Sequence, residues 1–106
     1  MPASTTAVDY AHLRTQAAED TDVMREVLQL FLLQTEQILD ALEIATDAKS
    51  WKELTHTLKG SARGVGAFDV AEAAARAEAT PLETGNLSAL HEAFLAARRF
   101  IKENPL

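Results

Sequence analysis

The sequence predicts an all-α domain, an up-down antiparallel four-helix bundle with one additional short N-terminal helix. Three observations predict it. Nowhere do Val, Ile and aromatic residues alternate with polar ones as in strands, whereas Ala, Leu and Glu dominate. Apolar residues recur at helical spacing in successive segments separated by capping and breaking residues. The connections between these segments are short, which favours antiparallel neighbours. The 106 residues, 47% of them apolar, suffice for one domain with one continuous core. The expected domain covers residues 1–106, with the bundle core at about 20–103.

A short first helix fits roughly Val8 to Ala18. Asp20-Thr21-Asp22 then reads as a capping segment, with acids suited to a helix N-terminus. A long helix follows to about Ala45, with Val23, Val27, Leu30, Phe31, Ile38, Leu42 and Ala45 on one stripe. Leu32, Leu33 and Leu39 fall off that stripe and call for cover by the first helix or by a partner. Asp47 to Ser50 marks a break, and a third helix runs from about Ser50 to Val65, ended by Gly64 and Gly66. A fourth runs from about Phe68 to Ala79 and is stopped by Thr80-Pro81. The last runs from about Asn86 to Lys102, with Leu87, Leu90, Phe94, Ala97 and Ile101 at heptad-like spacing.

Composition excludes several classes. The absence of cysteine removes disulfides and thiolate metal sites. The start, Met1 to Thr6, lacks a basic segment followed by an apolar one and does not read as a signal peptide. The most apolar stretch, Leu28 to Leu33, is far too short to span a bilayer. A cytoplasmic protein is therefore expected. The formal net charge of −6 argues against nucleic acid, whose phosphates need basic surface. The charge is uneven. Residues 1–47 hold nine acids and two bases, whereas residues 48–63 hold Lys49, Lys52, Lys59 and Arg63 against Glu53 alone. The bland reading of that basic island is a solvated face.

The third helix argues for more. At roughly 100° per residue, Trp51, Leu54, Leu58, Ser61 and Val65 fall on one narrow stripe that should face the core. His56 then lies about 180° from its middle, pointing outward. Lys52, Lys59, Gly60 and Arg63 flank it at spacings of −4, +3, +4 and +7, which bring helical side chains together. A neutral imidazole offers a nucleophilic nitrogen near physiological pH. Lys59 can neutralise phosphoryl oxygens as a point charge, and Lys52 and Arg63 can raise the potential felt by an anionic partner. A glycine inside a helix costs roughly 1 kcal/mol relative to alanine. Gly60 clears the surface one turn from His56, where a phosphoryl group and a docking protein must approach. A lone exposed histidine is ordinarily just solvated, and an interior glycine is often a packing contact. Their combination on one face outweighs those separate readings.

His56-Thr57-Leu58-Lys59-Gly60-Ser61-Ala62, followed by Gly66-Ala67, resembles the signature of histidine-containing phosphotransfer (HPt) domains, the small bundles of two-component phosphorelays. Leu30-Phe31-Leu32 in the preceding helix and Ala77-Glu78 near the end of the following one also resemble the family, so the likeness covers about residues 20–100. The resemblance implies a phosphoryl carrier. His56 would take a phosphoryl group from the aspartyl-phosphate of a receiver domain, or from a sensor or hybrid histidine kinase, and pass it to another receiver. Lys59 would stabilise that group, and Gly60 would give access to it. Glu78, twenty-two residues after His56, would orient the ring through its second nitrogen.

Glu78 has support of its own. Ala67, Ala71, Ala74 and Ala75 form the inward stripe of the fourth helix, and Glu78 falls within it. An antiparallel turn near Gly66 places His56 about 15 Å up one helix and Glu78 about 18 Å up the other. The plain alternative is a glutamate that snorkels out near a helix end. Glu53-Leu54-Thr55-His56 matches one element of carboxylate-bridged di-metal bundles, but no second Glu-x-x-His accompanies it, so no metal is expected. The competing function is an adaptor that docks receivers without being phosphorylated, against which the presence of both His56 and Lys59 speaks. The chain carries no glycine-rich phosphate loop, so no ATP-dependent kinase activity of its own is expected. The transfer's Mg²⁺ is expected on the receiver. A monomer without nucleic-acid or membrane partners completes the expectation.

Overall fold

The computed structural model describes residues 6–106. The first five residues, and with them most of the segment read for a signal peptide, lie outside the described residues. Five helices follow in order: α1 (Tyr10–Gln16), α2 (Thr21–Ile44), α3 (Ala48–Val65), α4 (Phe68–Ala79) and α5 (Gly85–Glu103). The described residues hold no strand. α2, α3, α4 and α5 form the bundle, each packed against the next and α5 closing back on α2. None is long and apolar enough to cross a membrane.

Capping residues set the boundaries. Asp9, Asp20 and Asp47 stand at the N-caps of α1, α2 and α3, each accepting from a backbone N–H of the first turn. Gly66 ends α3 in the left-handed region at φ 87°, and its N–H and that of Ala67 return to the carbonyls of Arg63 and Ala62. Gly64, expected to help end the helix, lies within it. The first helix is shorter than expected because Val8 and Asp9 form its capped approach rather than its first turn.

Three stripes differ from expectation. On α2 the buried residues are Met24, Leu28, Phe31, Thr35, Ile38, Leu39 and Leu42. Val23 and Leu30 are exposed, and Val27 and Ala45 are half-buried. Thr35 enters the core because its hydroxyl donates to the Phe31 carbonyl at 2.7 Å, which removes the cost of an unpaired polar group. On α3 the core face is Trp51, Thr55, Leu58, Ala62 and Val65, with Leu54 and Ser61 on its flank. Thr55 is admitted in the same way, donating to the Trp51 carbonyl at 2.9 Å. On α4, Val70, Ala71, Ala73, Ala74 and Ala77 are buried, while Ala75 is half-buried.

The off-stripe leucines separate. Leu39 is buried, Leu32 is half-buried against the core, and Leu33 is exposed. The first helix docks at the end of the bundle that carries the α3–α4 turn. There the Asp9 N–H donates to the Gly66 carbonyl at 2.9 Å, and Tyr10 packs edge-on against Phe100. That end lies about 15 Å from His56 along α3.

Candidate functional site

The changed face of α3 also changes the placement of His56. Centring the core on Thr55 and Ala62 as well as Trp51 rotates it by about 40° from the expected stripe. His56 is then on the shoulder of the helix rather than opposite the core, and it leans toward α4. Its side chain is 70% exposed.

Glu78, in the last turn of α4, meets it there. Nδ1 of His56 lies 3.0 Å from Oε2 of Glu78. A carboxylate only accepts, so this bond requires the proton on Nδ1; in the neutral ring the free lone pair is then on Nε2. The other oxygen of the same carboxylate, Oε1, accepts from Lys59 Nζ at 2.6 Å. Lys59 and Glu78 are 20% and 23% exposed. The Lys59 bond holds the Glu78 carboxyl below the usual carboxylate range, aided by the His56 bond and opposed by partial desolvation. Glu78 is therefore a charged acceptor at neutral pH and not a glutamate merely snorkelling into solvent. Lys59, expected to act on the phosphoryl oxygens, already has Glu78 as a partner.

The single tryptophan positions Glu78. The Trp51 indole Nε1–H donates to the Ala77 carbonyl at 2.7 Å, a buried bond that ties α3 to the last turn of α4 one residue before Glu78. The role of Trp51 was not anticipated. Its signal was an indole N–H on a core stripe, which needs an acceptor when buried.

Gly60 is exposed, and a Cβ added there would meet nothing within 4 Å outside its own helix. No packing contact explains it, and the surface beside His56 is open. Lys52 and Arg63 are exposed and, among the described residues, form no ion pair. The α3 face thus brings His56, Lys59 and Gly60 together with Glu78, while Lys52 and Arg63 lie exposed at its edges.

A second feature adjoins this face. Between α2 and α3 runs an open groove of about 480 Å³ lined by Val27, Leu30, Phe31, Leu33, Gln34, Gln37, Ser61 and Val65. The Ser61 hydroxyl, one residue past Gly60, donates to Gln34 Oε1 at 2.8 Å. Leu30 and Leu33 are 62% and 54% exposed. The groove's signal in the sequence was the surplus of leucines on α2, more than one core face can hold.

The family model of the Hpt domain matches residues 26–102. A comparison with curated protein sequences gives no match. Among solved structures, the histidine phosphotransferase ShpA of Caulobacter crescentus is similar at 39% sequence identity. That match covers 92% of each chain with a TM-score of 0.70.

Proposed function

The chain belongs to the Hpt domain family and has a phosphorelay histidine phosphotransfer role; from that premise, we propose that His56 is the residue that carries the phosphoryl group. The observation that carries this reading is a largely exposed imidazole whose Nδ1 is engaged by Glu78 at 3.0 Å, which leaves Nε2 as the nitrogen without a side-chain partner among the described residues. In loading, the Nε2 lone pair attacks the phosphorus of an aspartyl-phosphate on a receiver domain. The Nε2–P bond forms, the P–O bond breaks, and the electron pair leaves with the aspartate carboxylate. Transfer to a second receiver reverses these steps.

The surrounding residues have separate tasks. Glu78 fixes the ring orientation and the tautomer. Lys59 offers positive charge to the phosphoryl oxygens as they arrive, with donors left over from its bond to Glu78. Gly60 lets the receiver's acidic site come close. Lys52 and Arg63 attract that acidic surface, and the α2–α3 groove with Leu30 and Leu33 gives it an apolar seat. Mg²⁺ for the transfer is supplied by the receiver, and the phosphoryl group originates from a sensor or hybrid histidine kinase. The protein acts as a monomer in the cytoplasm, one domain meeting one receiver at a time.

The test is direct. Incubation with a phosphorylated receiver domain and Mg²⁺ labels the protein with phosphate that is stable in base and labile in acid. A protein that binds the receiver but takes no label is instead an adaptor.

A further inference from the structure

We propose that Leu82, in the turn between α4 and α5, is a docking residue for the receiver domain, kept at the surface by a strained backbone close to the His56–Glu78 pair. This rests on the reading of His56 as the carrier and of a receiver as its partner. It adds a contact on the α4 side of the histidine, away from the α2–α3 groove. Thr80-Pro81-Leu82-Glu83 forms a tight turn in which the Glu83 N–H donates to the Thr80 carbonyl at 3.3 Å. Pro81 takes the first central position and Leu82 the second, at φ 69°. Such a turn favours glycine or asparagine at that second position. A bulky side chain there crowds its own backbone.

Nothing local asks for a leucine at this position. Among the described residues, the other non-glycine residues with positive φ are Ala18 and Glu19, in the link between α1 and α2, and neither is a large apolar side chain. Leu82 is 40% exposed and stands outside the buried core. The turn is closed without it. The Asn86 side-chain amide donates to the Thr80 hydroxyl at 2.7 Å and to the Thr80 carbonyl at 3.3 Å. The Thr80 hydroxyl in turn donates to the Arg76 carbonyl at 3.0 Å. Glycine would make the same turn without strain. An exposed apolar side chain retained against the preference of its backbone points to a contact made outside the chain.

Its place identifies the partner. Leu82 follows Glu78 by four residues, and four residues of extended chain span at most about 14 Å. A specific interface covers about 800 Å² of each partner, a patch of about 16 Å radius. A receiver centred on His56 and Glu78 therefore reaches the turn. Lys52, exposed one helical turn before His56, lies toward the same end of the bundle and draws the receiver's acidic surface to that side. Glu83, exposed beside Leu82, has the opposite sign, so the contact at the turn is carried by the apolar side chain. Leu30 and Leu33 meet the receiver from the α2 side and Leu82 from the α4 side, with the imidazole between them.

Leu82→Asn and Leu82→Gly relieve the strain and remove the apolar contact, whereas Leu82→Met keeps an apolar side chain. Receiver binding is measured by titration calorimetry, the fold by urea midpoints and self-association by sedimentation. Loading from phosphoramidate, a small phosphoryl donor that needs no partner, reports on His56 itself. The first two variants should keep or raise the urea midpoint and load like the wild type. They should bind the receiver roughly five- to ten-fold more weakly, and by the same factor at low and high salt. Leu82→Met should bind like the wild type. Unchanged binding by Leu82→Asn and Leu82→Gly would overturn this inference and leave the carrier assignment standing. So would a fall in their urea midpoints, which would make Leu82 a residue of the fold. A loss of self-association in place of receiver binding would overturn it too, making the partner a second copy. Failure of the wild type to take phosphate on His56 from either donor would overturn both readings.

Discussion

Glu78 and His56 are twenty-two residues apart and meet at 3.0 Å because α3 and α4 turn back on one another at Gly66. The turn brings the helices into register, and the Trp51 bond to the Ala77 carbonyl fixes it one residue from the carboxylate. On the proposed assignment of His56 as the carrier, this contact selects the reacting nitrogen: with Nδ1 committed to Glu78, Nε2 is the one left available.

The two glycines at positions 60 and 66 should respond oppositely to alanine. Nothing stands within 4 Å of a Cβ at Gly60, so Gly60→Ala should stabilise the bundle by about 0.5–1 kcal/mol through helix propensity alone. At Gly66 the backbone is left-handed and a Cβ would fall 2.7 Å from the Asp9 carbonyl oxygen. Gly66→Ala should therefore destabilise, by more than the stabilisation at Gly60. Urea midpoints decide both. Gly60→Gln should remain folded and yet lose most of its transfer rate; full transfer by that variant would show that receivers approach elsewhere.

Lys59→Ala should slow transfer without preventing it. A preorganised cation at a partly exposed site is worth about 1–2 kcal/mol in the transition state, or roughly ten-fold in rate. Single-turnover transfer from a phosphorylated receiver measures this. An unchanged rate would assign Lys59 to the Glu78 ion pair alone.

Acid should destabilise the fold through two identifiable carboxylates. Glu78 is held below the usual carboxylate range first by Lys59, and Asp47 first by the Ser50 backbone N–H that it caps. A carboxyl more acidic in the folded chain than in the unfolded one contributes stability above the ordinary range. That stability is lost as pH falls through the depressed folded value. Urea midpoints should thus drop below about pH 4. Glu78→Gln and Asp47→Asn should each flatten that decline, the latter while keeping its helix cap. Acid slopes identical to wild type would remove both groups from the account.

Docking should separate from folding at the α2–α3 groove. Leu30 and Leu33 are exposed, so Leu30→Gln and Leu33→Gln should change stability by no more than about 0.5 kcal/mol. Both should weaken receiver binding several-fold by titration calorimetry. Binding should also weaken as salt rises, since exposed charges are screened over about 8 Å at physiological ionic strength. Replacing Lys52 and Arg63 by glutamine should reduce that salt dependence. Unaltered binding in the leucine variants would place the apolar seat elsewhere.

The site was more legible in the sequence than the packing around it. His56, Lys59 and Gly60 share one helix, so spacing alone put them on one face, and the family resemblance, supported by nearly equal heights above Gly66, brought in Glu78. The rotation of α3 was hidden because hydropathy ranks Leu54 above Thr55. Hydropathy does not register that a threonine bonded back to its own helix can be buried at little cost. Thr35 concealed the face of α2 in the same way. The Lys59–Glu78 bond and the role of Trp51 depend on side-chain reach between helices, which periodicity does not describe.

The central claim is that phosphate resides on His56, and the most direct measurement compares three single variants in transfer from one phosphorylated receiver. His56→Gln should accept no acid-labile label while remaining folded and bound to the receiver. His12→Gln and His91→Gln should be labelled like the wild type. Label that survives His56→Gln would contradict the assignment.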